Sequence, residues 1–286
     1  MIRYSASLEI RMKADVSYWN LRKPAKPSFR RYLRQDVFLS QLLNLRAGTE
    51  AFLKRELRNI RQTRGITPLK VLDIACGWGV SFAGNPEVSF YGVDVKGFPK
   101  SLAMQNGYAD AREYSDENQI TYENDFFDVC TVINLNAHIP FSTYADLLTQ
   151  AKGKLKPGGQ LLIVAELDNQ GLSYAMMRAI NNNRLKEMVA GMDHTNFVFE
   201  REFDKFLSSQ GVVITKKSTI WGNMLPLGHY TAWAFRKDPQ GVMRYPAFLI
   251  DAASSLLDNA FTTLGLGAQG RRFLVGYVGK FERWKQ

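Results

Sequence analysis

Two carboxylates and a pair of glycines, set at the ends of apolar runs, are the residues of this chain best placed to do chemistry. The first run is Val71-Leu72-Asp73-Ile74-Ala75-Cys76-Gly77-Trp78-Gly79. Val71–Ala75 has the apolar continuity of a buried strand, and Gly77 and Gly79 mark a tight turn where a ligand can approach bare backbone. Asp73 falls near the strand's carboxyl end, the edge at which open α/β sheets bind ligands. A second acid closes the next such run, Tyr91-Gly92-Val93-Asp94-Val95. A carboxylate there can accept hydrogen bonds from both hydroxyls of a ribose. Asp73 suits the ammonium of an amino-acid moiety, directly or through water.

The chain has three histidines. His138 follows a strand-like run and is the best-placed candidate base, because an unperturbed imidazole titrates near neutral pH. His229, in Pro226-Leu227-Gly228-His229-Tyr230, is a second candidate on a lid-like segment, whereas His194 reads as a loop or capping residue. The two cysteines, Cys76 and Cys130, sit in apolar surroundings and read as packing residues. Neither has a Cys-x-x-Cys or Cys/His spacing, so no metal site is expected. No disulfide framework is expected either, which points to a reducing, cytoplasmic setting.

The elements that must position these residues alternate. Val71–Ala75, Val88–Val95, Phe127–Leu135 and Gln160–Glu166 read as strands. Pro99–Asn106 and Tyr144–Leu155 read as the helices between them, with Lys156-Pro157-Gly158-Gly159 as a stop and turn. That alternation predicts a parallel sheet with helices on both faces. Upstream, Asp36–Ile60 has helical spacing, with Gly48 expected to break it into two helices. Downstream, Leu172–Met188, Glu200–Gln210 and Pro246–Phe261 read as helices, and Val212–Ile220 and Phe273–Phe281 as strands.

These segments together resemble the class I S-adenosylmethionine-dependent methyltransferases. Val71–Gly79 is similar to that family's first motif, and Asp94 to its ribose-binding acid. Ala109-Asp110-Ala111 looks like the loop whose acid contacts the adenine amine. Phe127-Asp128-Val129-Cys130 through His138 looks like the fourth strand and its following loop, and Leu155–Ile163 like the approach to the fifth. The resemblance implies a doubly wound, mostly parallel seven-stranded α/β sheet. It implies S-adenosyl-L-methionine as cofactor, held by Asp73, Ala75, Cys76, Gly77, Gly79, Asp94, Val95, Asp110, Ala111 and Asn134. The span between Gly79 and Val88 is short, and Gly84, Asn85 and Pro86 interrupt any helix there. The tetrapeptide Cys76-Gly77-Trp78-Gly79 also occurs in cyclopropane fatty-acid synthases.

The expected organisation is a basic helical arm over residues 1–65 and a Rossmann-like domain over 66–286, with helical insertions at about 168–200 and 221–270. Those insertions are rich in Met, Trp, Tyr and Phe, which predicts an apolar cover over a small-molecule substrate. The net charge of +10 is uneven: residues 1–70 hold 16 Lys or Arg against 5 Asp or Glu, and the rest 21 against 22. Such asymmetry suits an anionic partner and leaves an RNA or protein substrate as the competing reading. A non-catalytic protein retaining the fold is disfavoured by the intact acids and glycines. A nicotinamide-dependent oxidoreductase is disfavoured because Phe82 stands where the third glycine of its fingerprint would be. No apolar run approaches the roughly 18 residues of a membrane span.

Overall fold

The computed structural model describes residues 37–80, 82–115, 117, 119–167, 198–221 and 274–282, with isolated positions at 176, 178–183, 250, 253 and 257. Residues 1–36 of the basic arm, most of the two insertions, His194 and His229 lie outside the described residues.

A long helix opens the described chain: α1, Val37–Arg64. It buries Phe52 and Leu53, then Leu57 and Ile60 four and three residues further on, along one face. The expected break at Gly48 does not occur. The helix passes through it, and the glycine serves packing: a Cβ there would stand 2.9 Å from Ile220 Cγ2. Glu56 lies on the same buried face. Lys216 Nζ donates to both its oxygens at 2.8 and 2.9 Å, and Arg55 Nε donates at 2.7 Å. Burial alone would raise the Glu56 pKa, but these two cations outweigh it and hold the carboxyl below its ordinary value.

The sheet follows: β1 Leu69–Ile74, β2 Val88–Asp94, α2 Lys100–Gln105, β3 Asp110–Glu113, β4 Phe127–Ile133, α3 Phe141–Lys154, β5 Leu155–Glu166, α4 Glu200–Ser209, β6 Val212–Trp221 and β7 Leu274–Phe281. The spatial order is β3-β2-β1-β4-β5-β7-β6. Four pairings are parallel and two antiparallel, so the expected mostly parallel sheet is a mixed one. The reversal comes from β7, which inserts between β5 and β6 and runs against both.

Alternate residues of the strands feed two cores. On one face Val71, Phe90, Val129 and Leu162 pack with Leu53 and Leu57 of α1. On the other, Leu72, Ile74, Cys130 and Val132 pack with Leu148 of α3 and Phe203 of α4. Both faces are therefore covered, as a central parallel strand requires. Two expectations fail locally. Lys156-Pro157-Gly158-Gly159 is not a turn outside the sheet but part of β5, where a register shift against Phe127–Val129 absorbs it. Asp110–Glu113, read as a loop, is a short edge strand.

Candidate functional site

The strand order reverses between β1 and β4, and the crevice at their carboxyl ends is where such a sheet binds ligands. The chain leaves that edge in unusual conformations. Ala75 and Asn134, directly after the two strands, have φ of 59° and 53°, and Gly77 and Gly79 have 52° and 79°. For Ala75 in particular this left-handed conformation costs about 1 kcal/mol or more, and such strain concentrates at functional sites. Backbone bonds hold the bend: Cys76 N–H donates to Val93 O at 3.2 Å, and Gly79 N–H to Cys76 O at 2.7 Å.

Asp94 ends β2 beside this bend. Its Oδ2 accepts from Gly77 N–H at 2.6 Å and its Oδ1 from Val95 N–H at 2.7 Å. These two bonds orient the carboxylate and tie Gly77, Asp94 and Val95 into one unit. A carboxylate has about four acceptor positions, so Asp94 keeps two for a vicinal pair of hydroxyls. Only 6% of it is exposed. Burial raises its pKa to about 6, against the pull of the two amide bonds.

Asp73 lies at the carboxyl end of β1, as expected. It is 1% exposed. Tyr108 Oη donates to its Oδ2 at 2.5 Å and Thr131 Oγ1 to its Oδ1 at 2.7 Å. Asp73 thus supports the bend from beneath through Tyr108 and Thr131. Burial raises its pKa to about 6, the two hydroxyl bonds lower it, and the nearby Asp94 adds to the rise. Cys76 packs against Gly92, and burial pushes its thiol far above the ordinary value, so it stays a neutral packing group.

Across the crevice, Asn134 N–H donates to Val164 O at 2.8 Å. Its side-chain Oδ1 is buried with no hydrogen-bond partner. A buried orphan acceptor is costly unless a ligand donor meets it, so Asn134 Oδ1 suits a ligand donor such as an ammonium. His138 sits at the same edge, exposed, in the turn that its N–H closes on Leu135 O at 3.0 Å.

Asp110 and Ala111 are not part of this group. Tyr91 pairs with Asp110 and Asp94 with Glu113. Asp110 therefore begins β3 three residues, about 10 Å, from the ligand edge. Its carboxylate accepts from Ala111 N–H at 2.8 Å and pairs with Arg112 Nε at 2.7 Å, and Ala111 is fully buried. The ligand edge of β3 is instead the turn after Glu113, closed by Ser115 N–H to Gln119 O at 3.0 Å. Sequence reasoning missed Tyr108 and Thr131, whose roles depend on contacts 35 and 58 residues away in the chain. Among the described residues no cluster of His, Cys, Asp and Glu could hold a metal ion, and no helix is long and apolar enough to cross a membrane.

Residues 43–216 match the family model described as "Methyltransferase domain". No curated protein matches the chain. Solved structures similar to it include the geranyl diphosphate C-methyltransferase of Streptomyces coelicolor A3(2), at 11% identity and a TM-score of 0.49, covering 82% of this chain and 80% of that one. The YcgJ protein of Bacillus subtilis is 17% identical with a TM-score of 0.45, covering 80% and 99%. The cyclopropane synthase MmaA2 of Mycobacterium tuberculosis is 15% identical with a TM-score of 0.45, covering 78% and 83%.

Proposed function

The chain belongs to the methyltransferase-domain family and is an S-adenosylmethionine-dependent methyltransferase; we propose that it methylates an O, N or C atom of a small aromatic, quinone-like or lipid-like molecule. The observation that carries the cofactor placement is Asp94, fixed by Gly77 and Val95 with two acceptor positions to spare. The site fits the cofactor: Asp94 would take the ribose hydroxyls, and Asn134 Oδ1 the ammonium of the methionine end. Ala75, Cys76, Gly77 and Gly79 would supply the close backbone between them.

When bound, the sulfonium supplies both the methyl group and a good leaving group. The chain's task is then mainly to align an acceptor atom about 3–3.5 Å from that methyl. His138, exposed at the β4 edge, would take a proton from an acceptor that carries one. The reading of a small apolar substrate rests on the aromatic and Met-rich composition of residues 168–200 and 221–270, which would cover the crevice.

The charge excess in residues 1–70 supports a second reading, an RNA or protein substrate held by that arm. Radiolabelled methyl transfer to a cell extract, split into organic-soluble, nucleic-acid and protein fractions, separates the two. Label in the organic fraction is expected. Label confined to RNA or protein, with transfer falling steeply as salt rises, would replace the small-molecule reading.

A further inference from the structure

Tyr108 belongs to none of the motifs that mark the cofactor site, yet it touches that site's loop from below at several points. It is 3% exposed, in the connection from α2 to β3. Its hydroxyl donates to Asp73 Oδ2 at 2.5 Å and accepts from Val80 N–H at 3.1 Å. Its ring occupies the space a Cβ on Gly79 would need, and it stacks in tilted fashion on Phe90 with centroids 5.4 Å apart. The two residues before it grip the same loop. Asn106 Nδ2 donates to Trp78 O at 2.6 Å, and a Cβ on Gly107 would stand 2.5 Å from Gly84 Cα.

The loop needs such support. Among the described residues between β1 and β2 there is no helix, so no helical ladder of amide bonds orders the chain after Gly79. Isolated turn bonds are found there instead, such as Ala83 N–H to Val80 O at 3.4 Å and Asn85 N–H to Phe82 O at 3.2 Å. The positive φ of Ala75, a non-glycine residue, persists only where the surroundings enforce it. Thr131, Asp73, Tyr108 and Val80 form one hydrogen-bonded line from β4 through β1 to the α2–β3 connection and on to the loop.

We infer that Tyr108 is a positioning residue for the cofactor: through Asp73 and Val80 it holds the Cys76–Val80 loop in the shape that binds S-adenosylmethionine. The inference rests on the methyltransferase reading, and its test keeps the two apart.

Tyr108→Phe keeps the ring and removes only the hydroxyl. By calorimetry, its dissociation constant for S-adenosylmethionine and for S-adenosylhomocysteine should rise about tenfold, the loss expected of a hydrogen bond to a charged group. Hydrogen exchange should speed up at the Val80 amide and its loop neighbours, while β4 and β5 keep wild-type protection; a general loss of stability would speed all of them. Combining Tyr108→Phe with Asp73→Asn should weaken binding by less than the product of the two single effects, because the hydroxyl acts through that carboxylate. Wild-type affinity in Tyr108→Phe, or unchanged Val80 exchange, overturns the positioning role and leaves the methyltransferase reading intact. Failure of the wild-type protein to bind either nucleoside overturns the cofactor site itself.

Discussion

Asn136 and Glu166 are joined by two hydrogen bonds: Asn136 Nδ2 donates to Glu166 O at 2.6 Å, and Glu166 N–H donates to Asn136 Oδ1 at 3.0 Å. The side-chain amide thereby does what a further residue of strand β4 would do for the last residue of β5. It fixes the turn that carries Asn134 and His138 to the sheet at the ligand edge. Both groups are buried. Asn136→Ala leaves a donor and an acceptor of the backbone unpaired, and should cost about 2 kcal/mol in urea unfolding. Asn136→Asp can restore only the bond from Glu166 N–H. A destabilisation under about 0.5 kcal/mol for the alanine variant, the size of an ordinary surface substitution, would show the clasp to be incidental.

Asp94 offers the sharpest test of cofactor placement. Asp94→Ala removes the ribose acceptor and also frees the Gly77 and Val95 amides that it orients. Affinity for S-adenosylmethionine should fall roughly 100-fold, two charge-assisted hydrogen bonds' worth. Because burial raises the Asp94 pKa to about 6, wild-type affinity should also fall as pH drops through that value, where protonation removes acceptor capacity. Unchanged affinity in the variant, measured by calorimetry at pH 7.5, would move the ribose elsewhere.

How much of this was legible beforehand depended on whether the relevant contact was local. Asp73, the glycine bend and Asp94 were readable because strand ends announce themselves as apolar runs closed by an acid or a glycine. The role of Asp73 was not, since it is decided by Tyr108 and Thr131, which neither spacing nor periodicity connects to it. β3 escaped notice because Asp110, Arg112 and Glu113 make it a polar edge strand, with only Ala111 buried. Asp110 stands at the start of that strand, paired with Tyr91. Pro157-Gly158-Gly159 carries strong turn chemistry, and only the pairing with β4 keeps it in the sheet.

Gly276 illustrates a packing constraint that the apolar run of β7 conceals. A Cβ there would stand 2.5 Å from Phe52 Cε2, against a ring that is itself 3% exposed. The close approach of α1 to the sheet is thus set by the absence of a side chain. Gly276→Ala should destabilise the fold by about 1–3 kcal/mol through overpacking. The double variant Gly276→Ala with Phe52→Leu should recover part of that loss. A neutral Gly276→Ala, by thermal or urea unfolding, would mean that α1 docks more loosely than the Phe52 contact implies.

The buried acids also predict an unusual dependence of stability on pH. Burial raises the pKa of Asp73 from 3.8 to about 6 in the folded chain, and the unfolded chain restores the lower value. Between those values the folded state binds more protons than the unfolded one, so this group's contribution to stability falls as pH rises. It is complete below about pH 4 and lost as pH climbs through about 6, the reverse of a salt-bridged carboxylate. The whole chain can still unfold in acid, because Glu56, held below its ordinary value by Lys216 and Arg55, loses those partners there. A comparison with Asp73→Asn isolates the effect. That variant lacks the titration, so its stability relative to wild type should improve as pH rises from 5 through about 6 and then level off. A difference between the two proteins that stays flat across that range would mean that Asp73 is ionised throughout, with Tyr108 and Thr131 outweighing its burial.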